Sequence, residues 1–150
     1  MPPSEKAINN EDKEKGRVKM AGTPHQGNQP DESIILNHAA KIGIQAKLDG
    51  LAKSQIEQII ASLENMEDPR LSLLVTASFA YRQANRLGRG HRTANLIGEA
   101  MQDLYTKNYG KEQARKLLGL AKWVYESVER QSVRPVNSYT EYLVQLVGRR

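Results

Sequence analysis

From Ile34 onward apolar residues recur along this chain at three- and four-residue intervals and show no sustained alternation, so the pattern predicts helices and no strands. Asp31-Glu32-Ser33 supplies acids and a hydroxyl suited to a helix start ahead of Ile34, Ile35, Leu36, Ala39, Ala40, Ile42 and Ile44, and Gly50 ends that element. Ser54 and Glu57 have capping-box spacing before Ile56, Ile59, Ile60 and Leu63. Asp68-Pro69 reads as a cap with proline at the first helical position, opening a helix through Leu71, Leu74, Val75, Phe79 and Tyr81 to about Leu87, where Gly88 stops it in a left-handed conformation.

Thr93 is placed to cap the next helix, with Ile97, Ala100, Met101, Leu104 and Tyr105 as its apolar stripe and Asn108 and Gly110 at its end. The cleanest periodicity follows, Ala114, Leu117, Leu118, Ala121, Val124, Tyr125 and Val128, in a core-facing helix from Lys111 to about Arg130. Past Pro135, a second capping box, Ser138 and Glu141, opens a short helix that buries Tyr142, Leu143, Leu146 and Val147. Short connections make this an all-α fold, an antiparallel helical bundle of five or six helices over residues 31–150.

Residues 1–30 lack clustered apolar positions and mix Lys6, Lys13, Lys15, Arg17 and Lys19 with Glu5, Glu11, Asp12 and Glu14. They cannot bury enough surface to offset the entropy of ordering, so a disordered N-terminal tail is expected, either solvated throughout or ordering on RNA or a neighbouring subunit. With one Trp and one Phe, the core must rely on Leu, Ile, Val, Ala and Tyr. The absence of cysteine removes disulfides and thiolate chemistry, and neither an apolar run near membrane length nor a leader pattern stands out; a cytoplasmic protein with no membrane partner is expected.

Candidate catalytic chemistry is sparse. His25, His38 and His91 are scattered without a second ligand at metal spacing, so no metal is expected; His38 reads as a helix-face residue. Ser54, Ser78 and Ser138 lack an elbow motif, the P-loop ending is missing after Gly88 and Gly90, and Glu64, Glu67 and Asp68 are explained by capping and solvation. Neither an enzyme nor a cofactor is expected.

The net charge is +5, and its distribution is more telling than its size. Between Asp68 and Glu99 there is no other carboxylate, yet the interval holds Arg70, Arg82, Arg86, Arg89, His91 and Arg92. Arg82 and Arg86 share a helix face, and Arg89, His91 and Arg92 occupy the glycine-bracketed turn that follows. Arginine's planar fork binds phosphate bidentately, and glycines let backbone N–H groups approach it. Phosphate-backbone recognition is one reading; a solvated basic face is the other. In a second basic region, Lys107, Lys111, Arg115, Lys116 and Lys122, Glu112 is interleaved and the solvated reading is stronger. Tyr81, Tyr105, Tyr109, Trp123, Tyr125, Tyr139 and Tyr142 mostly fall on or beside apolar stripes and read as packing residues, leaving no stacking platform for bases. Binding with little sequence preference and steep salt dependence is therefore expected.

Three segments, Asp49-Gly50-Leu51-Ala52-Lys53-Ser54-Gln55-Ile56, Phe79-Ala80-Tyr81-Arg82-Gln83-Ala84-Asn85-Arg86 and Leu120-Ala121-Lys122-Trp123-Val124-Tyr125, together resemble the small subunit of type III (Csm-type) CRISPR effector complexes over residues 48–128. The resemblance implies a non-catalytic helical bundle present in several copies, in contact with guide RNA and target RNA and with the backbone and large subunits. It marks Arg86, at the family's arginine position, and Lys53, within the Gly-Leu-x-x-Ser start, as RNA-facing. Asn85 stands where the family pattern favours Gly, and Gln55 and Glu57 where relatives tend to be basic; Arg82, Arg89 and Arg92 would move the contact to the later turn. Two other readings stand beside this one: a sequence-specific helical DNA-binding domain turning at Leu87 to Thr93, and a protein-only helical adaptor whose basic face meets an acidic partner.

Overall fold

Burial of Ala39, Ala40, Ile42, Gly43, Ile44, Gln45 and Ala46 in unbroken sequence, apart from the half-buried Lys41, sets the architecture. A helix closed off on nearly every side must lie inside a layer of others. The structure, a computed structural model, describes residues 31–148; the tail expected over residues 1–30 lies outside them, as does the terminal Arg149-Arg150. The described residues form α1 (Glu32–Leu48), α2 (Lys53–Ala61), α3 (Leu71–Leu87), α4 (His91–Thr106), α5 (Lys111–Ser127) and α6 (Tyr139–Val147), with 3₁₀ turns at Ser62–Asn65 and Arg130–Ser132 and no strand among them.

From α1 to α5, successive helices run antiparallel. Ser62 bonds Thr76 and Gln83 bonds the Gln55 carbonyl, pairing α2 and its 3₁₀ extension with α3. Arg70 reaches the Tyr105 carbonyl and Tyr81 reaches Asn95, pairing α3 with α4. α1 meets α4 through His38–Asp103 and Asp49–Thr93, and α2 meets α5 through Lys53–Glu126 and Glu64–Arg115. An even number of reversals leaves α1 and α5 parallel, from Glu32–Lys116 at one end to Lys47 over the Tyr125 ring at the other. Their approach is close because Gly43 has no side chain: a Cβ there would stand 2.4 Å from the Ala121 carbonyl oxygen and 2.7 Å from the Val124 Cβ. Leu73, Ile97, Met101, Leu104 and Leu117 fill the main core, each contributing about 2 kcal/mol through removal from water.

The α5 stripe is buried at every position from Ala114 to Val128 that its periodicity selects. α3 differs. Its buried face is Ser72, Leu73, Thr76, Ala80, Gln83 and Ala84, while Leu71, Leu74 and Tyr81 are exposed. Small residues on the inner face let α2 and α4 approach closely, which turns the bulkier side chains outward. On α6 Tyr142 is buried and Tyr139 and Leu146 are half-buried, whereas Leu143, Val144 and Val147 are exposed, because α6 lies on a single flank of α1 beside Ala40, Ile44 and Val124. Trp123 departs furthest from a packing role, at 68% exposure.

Two caps are also made differently from their sequence pattern. α2 starts two residues early, with Ala52 at the N-cap, so Gln55 rather than Glu57 closes the box, accepting from the Ala52 N–H at 2.8 Å, and Glu57 turns away to Lys122. α4 starts at His91, which puts Thr93 inside the first turn and buries it. α3 begins at Leu71 rather than at Pro69, and Asp68 accepts from the Arg70 and Leu71 N–H groups in the turn that leads into it; Ser138 caps α6.

Candidate nucleic-acid interface

Up-and-down winding brings the ends of α1, α3 and α5 and the starts of α2 and α4 to the same end of the bundle. The Tyr125 hydroxyl donates to the Leu51 carbonyl there, and a Cβ on Gly90 would lie 3.0 Å from Leu51. Gly88 ends α3 with φ 71° and Gly90 opens α4 with φ 92°, both left-handed, so the chain reverses within Gly88-Arg89-Gly90 and leaves Arg89, His91 and Arg92 exposed.

Gly90 has no side chain with which to cap α4, and the cap arrives from α1. Asp49 Oδ2 accepts from the Thr93 N–H at 3.0 Å and from the Thr93 hydroxyl at 2.8 Å, while its Oδ1 accepts from Gln45 at 2.9 Å. A carboxylate remote in sequence therefore stands behind the turn, and the reading of a turn with no acid near it is corrected to that extent. In exchange, the turn reaches back to the chain just past α1: Arg89 Nε donates to the Gly50 carbonyl at 3.2 Å. Arg130, just past α5, donates to the Leu48 carbonyl at the α1 C-terminus at 3.2 Å, so the two guanidinium groups converge on the segment Leu48 to Gly50. His91 Nε2 lies 3.1 Å from Asn85 Oδ1, across the turn.

Ion pairing sorts the basic residues into two groups. Among the described residues no carboxylate lies within ion-pair distance of Arg82, Arg86, Arg89 or Arg92. The second basic region is paired throughout: Lys107 pairs with Asp103, Lys116 with Glu32 and Lys122 with Glu57, while Lys111 and Arg115 share Glu64. The hydrogen bond between Glu57 and Lys122 holds the carboxyl below and the ammonium above their ordinary pKa values, as expected of a pair that answers to each other. Lys53, a candidate from sequence, belongs to this group, 3.1 Å from Glu126.

Arg82 and Arg86 line a groove of about 340 Å³ between α2 and α3, with Ser54, Gln55, Gln58, Phe79, Gln83 and Leu87. Its floor is fixed by Gln83, buried, whose amide nitrogen donates to the Gln55 carbonyl at 3.1 Å and to Gln58 Oε1 at 3.2 Å. With its oxygen engaged, Gln58 presents its amide nitrogen as a donor. No acid lines the groove.

Of the sequence candidates, Arg82 and Arg86 are brought together at the groove, and Arg89, His91 and Arg92 at the turn; Lys53 is drawn into an ion pair. Arg130, Gln58 and Asp49 were not singled out by sequence. The only hint was negative, a capping glycine at Gly90 that needs a partner from elsewhere. Among the described residues no three His, Asp or Glu side chains are grouped to hold a metal ion, and no helix is long and apolar enough to cross a membrane. No protein-family model, no curated protein and no solved structure matches the chain.

Proposed function

We propose that this protein is a non-catalytic RNA-binding and scaffolding subunit, with Arg82, Arg86, Arg89 and Arg92 neutralising phosphates at one end of the bundle. The observation that carries this is the contrast in ion pairing among the described residues: those four arginines face solvent without an acid partner, while every cation of the second basic region is paired. A cation already paired gains little from phosphate, because it must give up a partner to take one. The resemblance to the small subunit of type III CRISPR effector complexes supplies the setting: guide RNA and target RNA as ligands, backbone and large subunits and further copies of this chain as neighbours, and cytoplasmic antiviral defence as the role.

Direct readout of duplex DNA would need a helix standing clear to enter the major groove. α3 and α4 instead lie side by side from Arg70–Tyr105 to Tyr81–Asn95, which favours backbone recognition. The test is fluorescence anisotropy of nuclease-treated protein with single-stranded RNA, competed by random-sequence duplex DNA. RNA binding that survives the competitor, and is lost in the R86E/R89E/R92E variant, supports the proposal. Selectivity for one duplex sequence, or unchanged RNA affinity in the variant, overturns it.

A further inference from the structure

We propose that the α2–α3 groove is a discrete phosphate pocket, in which Arg82 and Arg86 clamp one phosphate while Gln58 and Ser54 donate to its remaining oxygens. The inference deepens the RNA reading and rests on it only for the source of the phosphate. A flat basic face would attract phosphate by charge alone, but this groove has direction. Gln83 is buried and spends its amide nitrogen on the Gln55 carbonyl and on Gln58 Oε1. That leaves the nitrogen of Gln58 as its free end, pointing the amide's donors rather than its acceptor away from Gln83.

Two guanidinium groups four residues apart on α3, a hydroxyl and an amide N–H₂ on α2 thus line the same space. The groove offers donors and no carboxylate, which suits a ligand made of acceptors and carrying negative charge. A neutral hydrogen-bonding ligand would leave both arginines unanswered. Phe79 and Leu87 add an apolar wall on which a sugar or base can rest, so a nucleotide phosphate fits the lining better than a bare anion does.

The test follows the arginine Nε and glutamine side-chain resonances by NMR during titration with inorganic phosphate, with uridine monophosphate, and with short single-stranded RNA bearing or lacking a 5′-phosphate. Saturable shifts confined to Arg82, Arg86 and Gln58, with Kd on the order of 1 mM for phosphate alone, are expected. The RNA pair then assigns the source: tighter binding of the 5′-phosphorylated strand supports a terminal phosphate in the pocket, and equal binding with the same shifts supports an internal one.

Q58M removes a neutral donor and leaves Gln83 its Gln55 partner; it should weaken phosphate and RNA binding about tenfold while the salt slope of RNA binding stays at the wild-type value. A Q58M protein that binds both as the wild type does overturns the pocket while leaving the RNA proposal standing. Pocket shifts with phosphate but no RNA binding would uphold the pocket and overturn the RNA proposal. Urea unfolding of Q58M shows whether the helices remain packed, and Q58E, which keeps the Gln83 bond but places an acid in the groove, must abolish the phosphate shifts.

Discussion

Removing the Asp49 carboxylate tests how the basic turn is held in place. In Asp49→Ala the Thr93 N–H loses the acceptor that caps α4, worth about 1 kcal/mol. The Thr93 hydroxyl, whose residue is 1% exposed, is left without this acceptor, at a cost of about 1–3 kcal/mol. The variant should therefore lose about 2–4 kcal/mol, measured as the shift in urea midpoint multiplied by an unchanged m-value. Asp49→Asn keeps an oxygen for Thr93 and removes only the charge, so its loss should stay within about 1 kcal/mol. Thr93→Val removes the hydroxyl without orphaning it; combined with Asp49→Ala it should cost less than the two single changes added together, by about 1–2 kcal/mol. Strict additivity, or an Asp49→Ala protein within about 0.5 kcal/mol of the wild type, would refute the tertiary cap.

Gly43→Ala should be more damaging than an ordinary helix substitution. Helix propensity favours Ala by roughly 1 kcal/mol, but the new Cβ collides with backbone at Ala121 and with Val124, so a net loss of about 2–3 kcal/mol in urea unfolding is expected. Asp103 governs part of the acid limit of stability. Partial burial pushes its carboxyl up, but Lys107 and His38 together outweigh burial and hold its pKa below the ordinary value. A carboxyl depressed in the folded state contributes stability above its unfolded pKa near 3.8 and loses it as pH falls through the lower folded value. Asp103→Asn should therefore flatten the decline in urea midpoint below about pH 4, and an unchanged pH profile would count against the pair.

Much of the fold was legible because helical periodicity reports burial directly when a helix packs on one side. α5 is such a case, from Ala114 to Val128. α3 was legible as a helix but not in its orientation: Leu71, Leu74 and Tyr81 look like a core stripe, yet close packing selected the smaller face of Ser72, Thr76, Ala80 and Ala84. Only the neighbours decide that choice. The residue type of Trp123 predicts packing, and its 68% exposure shows that an aromatic beside a stripe need not join it.

The site was legible in the same partial way. The carboxylate-free interval located Arg82 to Arg92, and the glycines located the turn. Pairing across space was not readable: Glu57, Glu64 and Glu126 are distant in sequence from the lysines they neutralise, and Asp49 is distant from Thr93. Those contacts removed Lys53 from the free cations and brought Arg130 to Arg89's side at the end of α1.

The most direct measurement of the central claim is the salt dependence of RNA affinity in three proteins: the wild type, a variant with Arg82, Arg86, Arg89 and Arg92 changed to Gln, and one with Lys116 and Lys122 changed to Gln. Three single-strand phosphate contacts, one shared by Arg82 and Arg86 and one each at Arg89 and Arg92, give a slope of log affinity against log salt of roughly −2. The wild type and the lysine variant should share that slope, and the arginine variant should approach zero. Equal slopes in all three proteins, or a loss confined to the lysine variant, would contradict the account.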